Sequence, residues 1–221
     1  MVAFFLHALV SIFAVMNPFG ILPTFLALTT GYSQREQRDV AKRTVLHSFV
    51  ILLAFLLLGN FILQMFSITI SAFRVAGGIL LFGIAYDLLH AKPSPIQDTS
   101  EETELVSSAD GEPLQGQEAR PDITITPLAI PVIAGPGTIT SVMALAAGPN
   151  LIMRSGVVFV AFSVVLAITF LIFYYASHIH QRISQTGLNV ITRLMGFLLS
   201  IIAIQMAATG LGQLFPGLLH V

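Results

Sequence analysis

The first 34 residues contain no Asp, Glu, Lys or Arg, yet the apolar run from Val2 to about Leu28 is interrupted by Asn17-Pro18-Phe19-Gly20-Ile21-Leu22-Pro23. Proline removes a backbone donor and its ring clashes one turn back, so two prolines and a glycine in seven residues do not continue a straight helix. In lipid no water satisfies the freed carbonyls, and such a break persists only where protein or a water-filled cavity surrounds it. The run reads as two half-helices meeting at an unwound turn. Residues 127–140, Pro-Leu-Ala-Ile-Pro-Val-Ile-Ala-Gly-Pro-Gly-Thr-Ile-Thr, interrupt a second apolar run, again with Pro and Gly side by side.

A break of this kind implies a membrane, and composition agrees. Of 221 residues 55% are apolar and 10% charged, against about 25% charged in a soluble domain. Mean hydropathy is +0.87. The absence of cysteine excludes disulfides, thiol catalysis and cysteine metal sites. A net charge of −1 gives no reason to expect a nucleic-acid partner. The N-terminal stretch lacks a basic region and a small-residue cleavage pattern, so it is expected to stay in the mature protein.

A span needs about 20 apolar residues. Six segments meet this, at about 2–29, 44–66, 72–90, 123–147, 156–177 and 190–214. Gly31 to Arg43, Ser67 to Ser71, Gly148 to Ser155 and a stretch with His178, His180 and Arg182 read as links. Residues 91–122 hold eight acidic residues and few large apolar ones, a composition that cannot bury a core and reads as a flexible loop. The organisation expected is a three-span unit at 1–90, an acidic cytoplasmic loop at 91–122 and a second three-span unit at 123–221. Basic residues in short loops favour the cytoplasm. With both termini outside, the inner links carry Arg35, Arg38, Lys42, Arg43, Lys92, Arg120, Arg182 and Arg193, and the outer ones only Arg74 and Arg154.

The two halves match each other. At an offset of 118, Pro18 falls on Pro136 and Ile21 on Ile139; at 119, Arg74-Val-Ala-Gly77 falls on Arg193-Leu-Met-Gly196. Three spans per half is an odd number, so the second half enters the membrane from the opposite side. The expected fold is an all-α membrane protein of six transmembrane helices, arranged as two inverted three-helix repeats with helices 1 and 4 broken. Arg74 then lies near the outer surface and Arg193 near the inner one. Broken helices at matching positions of inverted repeats point to a transporter site at the midplane. Half-helix N-termini suit a carboxylate, and unwound carbonyls suit an ammonium group, so a small zwitterion fits.

The candidate substrate-binding residues are Asn17, Pro18, Gly20, Thr24, Gly135, Pro136, Gly137 and Thr138, with Thr140 and Ser141 as further hydroxyls near the break. Read blandly, the Pro and Gly residues are kinks and the hydroxyls bond their own preceding turn. Asn60, Gln64 and Gln205 serve equally as glue between helices. Asp87 is the one acidic residue in a span, near its inner end; with Arg74 and Arg193 it forms the candidate coupling or gating set, although both arginines can simply snorkel. His7 and His47 are weak candidates for proton relay. His178 and His180 sit about 200° apart on a helix without a nearby carboxylate, a poor metal signal. No nucleophile-and-base pattern or phosphate loop occurs, so no enzyme activity, metal or cofactor is expected. Gly- and Ala-rich faces such as Ala76 to Gly83 permit close packing within a protomer or between protomers of a homo-oligomer.

The stretch Met16-Asn-Pro-Phe-Gly-Ile-Leu-Pro-Thr-Phe-Leu-Ala-Leu-Thr29 resembles the first motif of the MarC family of bacterial and archaeal inner-membrane proteins, and Pro127 to Thr140 resembles its second. Arg74-Val-Ala-Gly-Gly-Ile and Arg193-Leu-Met-Gly-Phe-Leu are similar to two further family blocks. The similarity covers nearly all of the chain except 91–122. It implies six spans in two inverted halves, and a group that includes SnatA-like transporters of small neutral amino acids such as glycine and alanine. Carried over, the substrate contacts are Asn17, Pro18, Gly20, Gly135, Pro136, Gly137 and Thr138. The function expected is a secondary transporter of such amino acids, with proton coupling, sodium coupling and uncoupled exchange all open. The alternative is a channel-like or structural membrane protein without solute turnover, in which the breaks are packing kinks.

Overall fold

The structure, a computed structural model, describes residues 1–90, 133–182 and 185–218. The expectations for 91–122 and for the first part of the fourth span, 123–132, lie outside the described residues. What is described is helical: α1 (Val2–Met16), α2 (Pro18–Leu28), α3 (Gln34–Met65), α4 (Ile70–His90), α5 (Pro136–Ala146), α6 (Leu151–Tyr174), α7 (Ala176–Arg182) and α8 (Gln185–Leu214). Five stretches are long and apolar enough to cross a membrane, with α1 and α2 counted together as Val2–Leu28. The fifth helix, Pro136–Ala146, is a shorter apolar piece.

Helix ends differ from expectation where local capping decides them. The first interruption is one residue, not a seven-residue turn. Asn17 adopts the left-handed conformation (φ 48°, ψ 60°) and caps both α1 and α2, a conformation that asparagine tolerates better than most residues. Pro18 then occupies the first helical position, where its missing donor costs nothing, and α2 runs on through Pro23. The polar stretch before the second span is not a loop beyond Ser33. There the Ser33 Oγ accepts from the Glu36 N–H and the Glu36 carboxylate accepts from the Ser33 N–H, a reciprocal cap that starts α3 at Gln34. Arg35, Arg38, Lys42 and Arg43 are therefore helical. At 32 residues α3 extends about 48 Å, well beyond a 30 Å hydrocarbon core. Likewise α6 starts inside the expected link, at Leu151, and His178 lies on the short helix α7.

The buried residues fall into two groups. The larger core joins α1, α2, α3, α5 and α6, with Ile12, Met16, Phe25, Leu52, Val142 and Phe162 fully or almost fully enclosed. Within it the Phe25 and Phe173 rings stack at 4.3 Å. The smaller core comprises Val15 with Leu81, Ala85, Leu88, Leu199 and Ala203, and binds α4 to α8. These two helices run antiparallel and very close. A Cβ on Gly78 would lie 2.8 Å from the Ala203 carbonyl oxygen, one on Gly196 2.9 Å from the Leu89 nitrogen, and one on Gly210 2.7 Å from the Ser71 carbonyl oxygen. Small residues let backbones approach closely, which is how helices gain contact where lipid gives no hydrophobic drive. The molecule is thus a helical bundle and a tight α4–α8 pair, meeting along a seam that Val15 bridges.

Candidate functional site

Both interruptions lie on this seam. At the first, the Asn17 side-chain oxygen accepts from the Gly20 N–H at 3.2 Å, and the Asn17 carbonyl accepts from the Ile21 N–H at 3.2 Å. Gly20 makes room for this cap: a Cβ there would sit 2.2 Å from the Asn17 Nδ2 and displace the side chain. Asn17 is 5% exposed, and its Nδ2 is buried with no hydrogen-bond partner among the described residues. An unsatisfied buried amide donor costs about 1–3 kcal/mol. Such a cost in a folded chain marks a position where a further acceptor would be stabilising.

A small cavity of about 20 Å³ adjoins Asn17 and Gly20, walled by Val15, Met16, Leu81, Ile84, Leu88 and Leu199. That is the space of about one water molecule. At the second interruption Gly135 is extended (φ −70°, ψ 173°), Pro136 takes the first helical position, and the Ile139 N–H donates to the Gly135 carbonyl at 3.0 Å. Gly137 packs so that a Cβ would lie 2.8 Å from Leu81 Cδ1 and 3.3 Å from Val15 Cγ1. A Cβ on Gly77 would lie 2.7 Å from the Thr140 Oγ1. The two Pro/Gly stretches, 118 residues apart in sequence, are linked through Leu81 of α4, which packs against Gly137 and helps to wall the cavity beside Asn17.

On the other side of Val15 a groove of about 490 Å³ opens between α1 and α5 of the bundle and α4 and α8 of the pair. Its polar lining is Ser11, Arg74, Ser141, Gln205 and Thr209, set among apolar residues that include Val10, Ile201 and Met206. Val15 lines both spaces and is the partition between them. The Arg74 Nη1 donates to the Gln213 side-chain oxygen at 2.9 Å, which also accepts from Ser71 Oγ at 3.1 Å.

The expected residues divide accordingly. Asn17, Pro18, Gly20 and Gly137 are buried at the seam. Gly135 and Pro136 set the start of α5, and Thr138 is buried in its first turn. Thr24 is half-buried one turn beyond Gly20. Thr140 makes the local bond anticipated for it, Oγ1 to the Pro136 carbonyl at 2.6 Å. Arg74 lines the groove, whereas Asp87 and Arg193 both lie toward the opposite end of the α4–α8 pair, where Gly196 packs against Leu88 and Leu89. Ser11 and Thr209 belong to the groove without having been singled out. The available signal for Ser11 was spacing: Ser11, Val15 and Pro18 recur at helical intervals. Among the described residues no cluster of metal-ligating side chains occurs.

Residues 2–215 match the family described as MarC family integral membrane protein. The membrane protein YvbG of Bacillus subtilis (strain 168) is 44% identical over 98% of this chain and 98% of its own length. A membrane protein of Methanocaldococcus jannaschii is 38% identical over 94% of this chain and 96% of its own length, and YhcE of Escherichia coli (strain K12) is 35% identical over 96% and 93%. Their names specify a membrane protein and no substrate. No solved structure matches the chain. The match over almost every residue, including both Pro/Gly motifs, means that this chain belongs to the MarC family of integral membrane proteins.

Proposed function

We propose that this chain is a secondary transporter of small neutral amino acids of the glycine and alanine type, working by alternating access. The observation that carries the reading is the unpartnered Asn17 Nδ2 at the first break, beside a cavity that is walled in part by Leu81 of α4, itself packed on Gly137 at the start of α5. Half-helix starts present backbone N–H groups and positive partial charge, and a buried amide donor there suits a carboxylate.

The proposal includes two inverted three-span halves. Its support is a symmetry of packing. The first half-helix bond of α2, Ile21 to Asn17, has its equivalent 118 residues on in Ile139 to Gly135. The α4–α8 register pairs residues near 78 with those near 205 and residues near 87 with 196. Antiparallel packing of α4 on α8 is what exchange of the two halves by a two-fold axis requires. In the proposed repeat α2 corresponds to α5, α3 to α6 and α4 to α8. In a bacterial or archaeal inner membrane, the distribution of basic residues supports placing Arg74 and both termini outside.

Labelled glycine and alanine, offered to proteoliposomes with proton and sodium gradients imposed separately, test the reading. Saturable uptake driven by one gradient is expected, and the effective gradient identifies the coupling ion. Uptake no greater than in empty vesicles, with the protein folded and inserted, overturns the transporter assignment in favour of a structural membrane protein.

A further inference from the structure

Among the described residues the groove has one charged side chain, Arg74, and no acidic one. Arg74 is half-buried, and its hydrogen-bond partner Gln213 is neutral. The acidic residues among the described ones are Glu36, Asp39 and Asp87. Glu36 and Asp39 stand at the start of α3, whose far end leads into α4, so a whole span separates them from Arg74. Asp87 lies 13 residues along α4, about 20 Å away at 1.5 Å per residue. A guanidinium has five N–H donors in a planar fork suited to a two-oxygen acceptor. The Gln213 side chain, itself held by Ser71, steadies Nη1 and leaves the rest of the fork for a ligand.

We propose that Arg74 is the carboxylate receptor of the groove. A small zwitterionic solute binds there with its carboxylate on the guanidinium, and the oxygens of Ser11, Ser141 and Gln205 receive its ammonium group. The assignment deepens the transporter reading and rests on it. The volume, about 490 Å³, is that of an ordinary small-molecule site. A phospholipid phosphate has the same oxyanion chemistry. The solute is the occupant chosen, because it has both a carboxylate for Arg74 and an ammonium group for the oxygens of Ser11, Ser141 and Gln205, whereas a lipid phosphate would use Arg74 alone. The groove also ends on Val15, the partition from the Asn17 cavity, which makes it an entrance to the seam.

The test is alanine uptake kinetics in vesicles of phosphatidylcholine alone and of phosphatidylcholine with phosphatidylglycerol. Arg74→Gln is expected to raise the KM for alanine about 10- to 100-fold, the scale of one lost charged hydrogen bond, equally in both lipids. Alaninamide, which lacks the carboxylate, should inhibit the wild-type protein poorly. Should Arg74→Gln not assemble, Arg74→Lys carries the same test with a severalfold rise, since charge is kept and the fork is lost. A wild-type KM in the substituted protein overturns the assignment while leaving the transporter reading standing. A defect confined to vesicles with phosphatidylglycerol makes the lipid headgroup the ligand and also overturns it. Wild-type protein without saturable uptake overturns the transporter reading, and the Arg74 assignment with it.

Discussion

Asn17 combines two roles that substitution can separate. Its backbone occupies the left-handed region (φ 48°), and its side chain caps α2 through Oδ1 while Nδ2 stays unpartnered. Glycine enters the left-handed region without a Cβ penalty, and replacing a cap residue by glycine costs only a few tenths of a kcal/mol. The residue at the equivalent place in the second half is already glycine, Gly135. Asn17→Gly should therefore leave the midpoint of thermal denaturation in detergent nearly unchanged. If the amide contacts substrate, alanine uptake should fall at least tenfold. Asn17→Leu should lose both, because a bulky side chain pays about 1–2 kcal/mol in that backbone region. Full transport by Asn17→Gly would reduce Asn17 to a kink residue.

Among the elements, what the sequence revealed and what it concealed follow from the range of the interactions involved. Hydrophobic runs marked five spans, within two residues at both ends of the first and third, but they missed the start of α3 by ten residues and that of α6 by five; proline with glycine marked both interruptions. The extent of the first interruption was hidden, because one asparagine caps two helices at once and Pro23 is tolerated within α2. The polar beginning of α3 looked like a link until the Ser33–Glu36 cap is weighed. The expected site residues at the breaks are neighbours in space, but Ser11 and Thr209 join Arg74 only through tertiary packing of α1 and α8 against α4. That packing depends on glycine. Gly78 faces backbone atoms of α8 at 2.8 Å, whereas around Gly83, one and a half turns on, nothing lies within 4 Å of an added Cβ. Gly78→Ala should push α4 from α8 and lower stability by about 1–3 kcal/mol. Gly83→Ala should leave it unchanged or raise it by up to about 1 kcal/mol, the helix-propensity gain. Thermal denaturation of both variants checks this, and equal midpoints would refute the close α4–α8 contact.

At the scale of the whole molecule, the seam is asymmetric in a way that transport would exploit. On the Arg74 side of Val15 the bundle and the α4–α8 pair stand apart over about 490 Å³. On the other side Leu81, Ile84, Leu88 and Leu199 close over Asn17, leaving about 20 Å³. Inverted-repeat transporters change access by rocking one rigid unit against the other around a fixed site. Here the bundle and the pair are such units, and the contacts between them run through small groups, Gly77 on Thr140 and Gly137 on Leu81. In the proposed transporter, rocking the pair against the bundle would shut the groove at Arg74 and open a path toward the end of the pair that carries Asp87 and Arg193. The chain has no cysteine, so single thiols report each side without background. Ser141→Cys, in the groove, should react with a membrane-impermeant thiol reagent from the Arg74 face. Leu199→Cys, at a position only 2% exposed, should resist the reagent from both faces at rest. Under saturating alanine, Ser141→Cys should lose reactivity and Leu199→Cys should gain it from the opposite face. Alanine seated against position 141 shields that thiol without any motion, so the gain at Leu199→Cys is the change that reports rocking. Leu199→Cys reactivity that alanine leaves unaltered would mean that the bundle and the pair do not move as units.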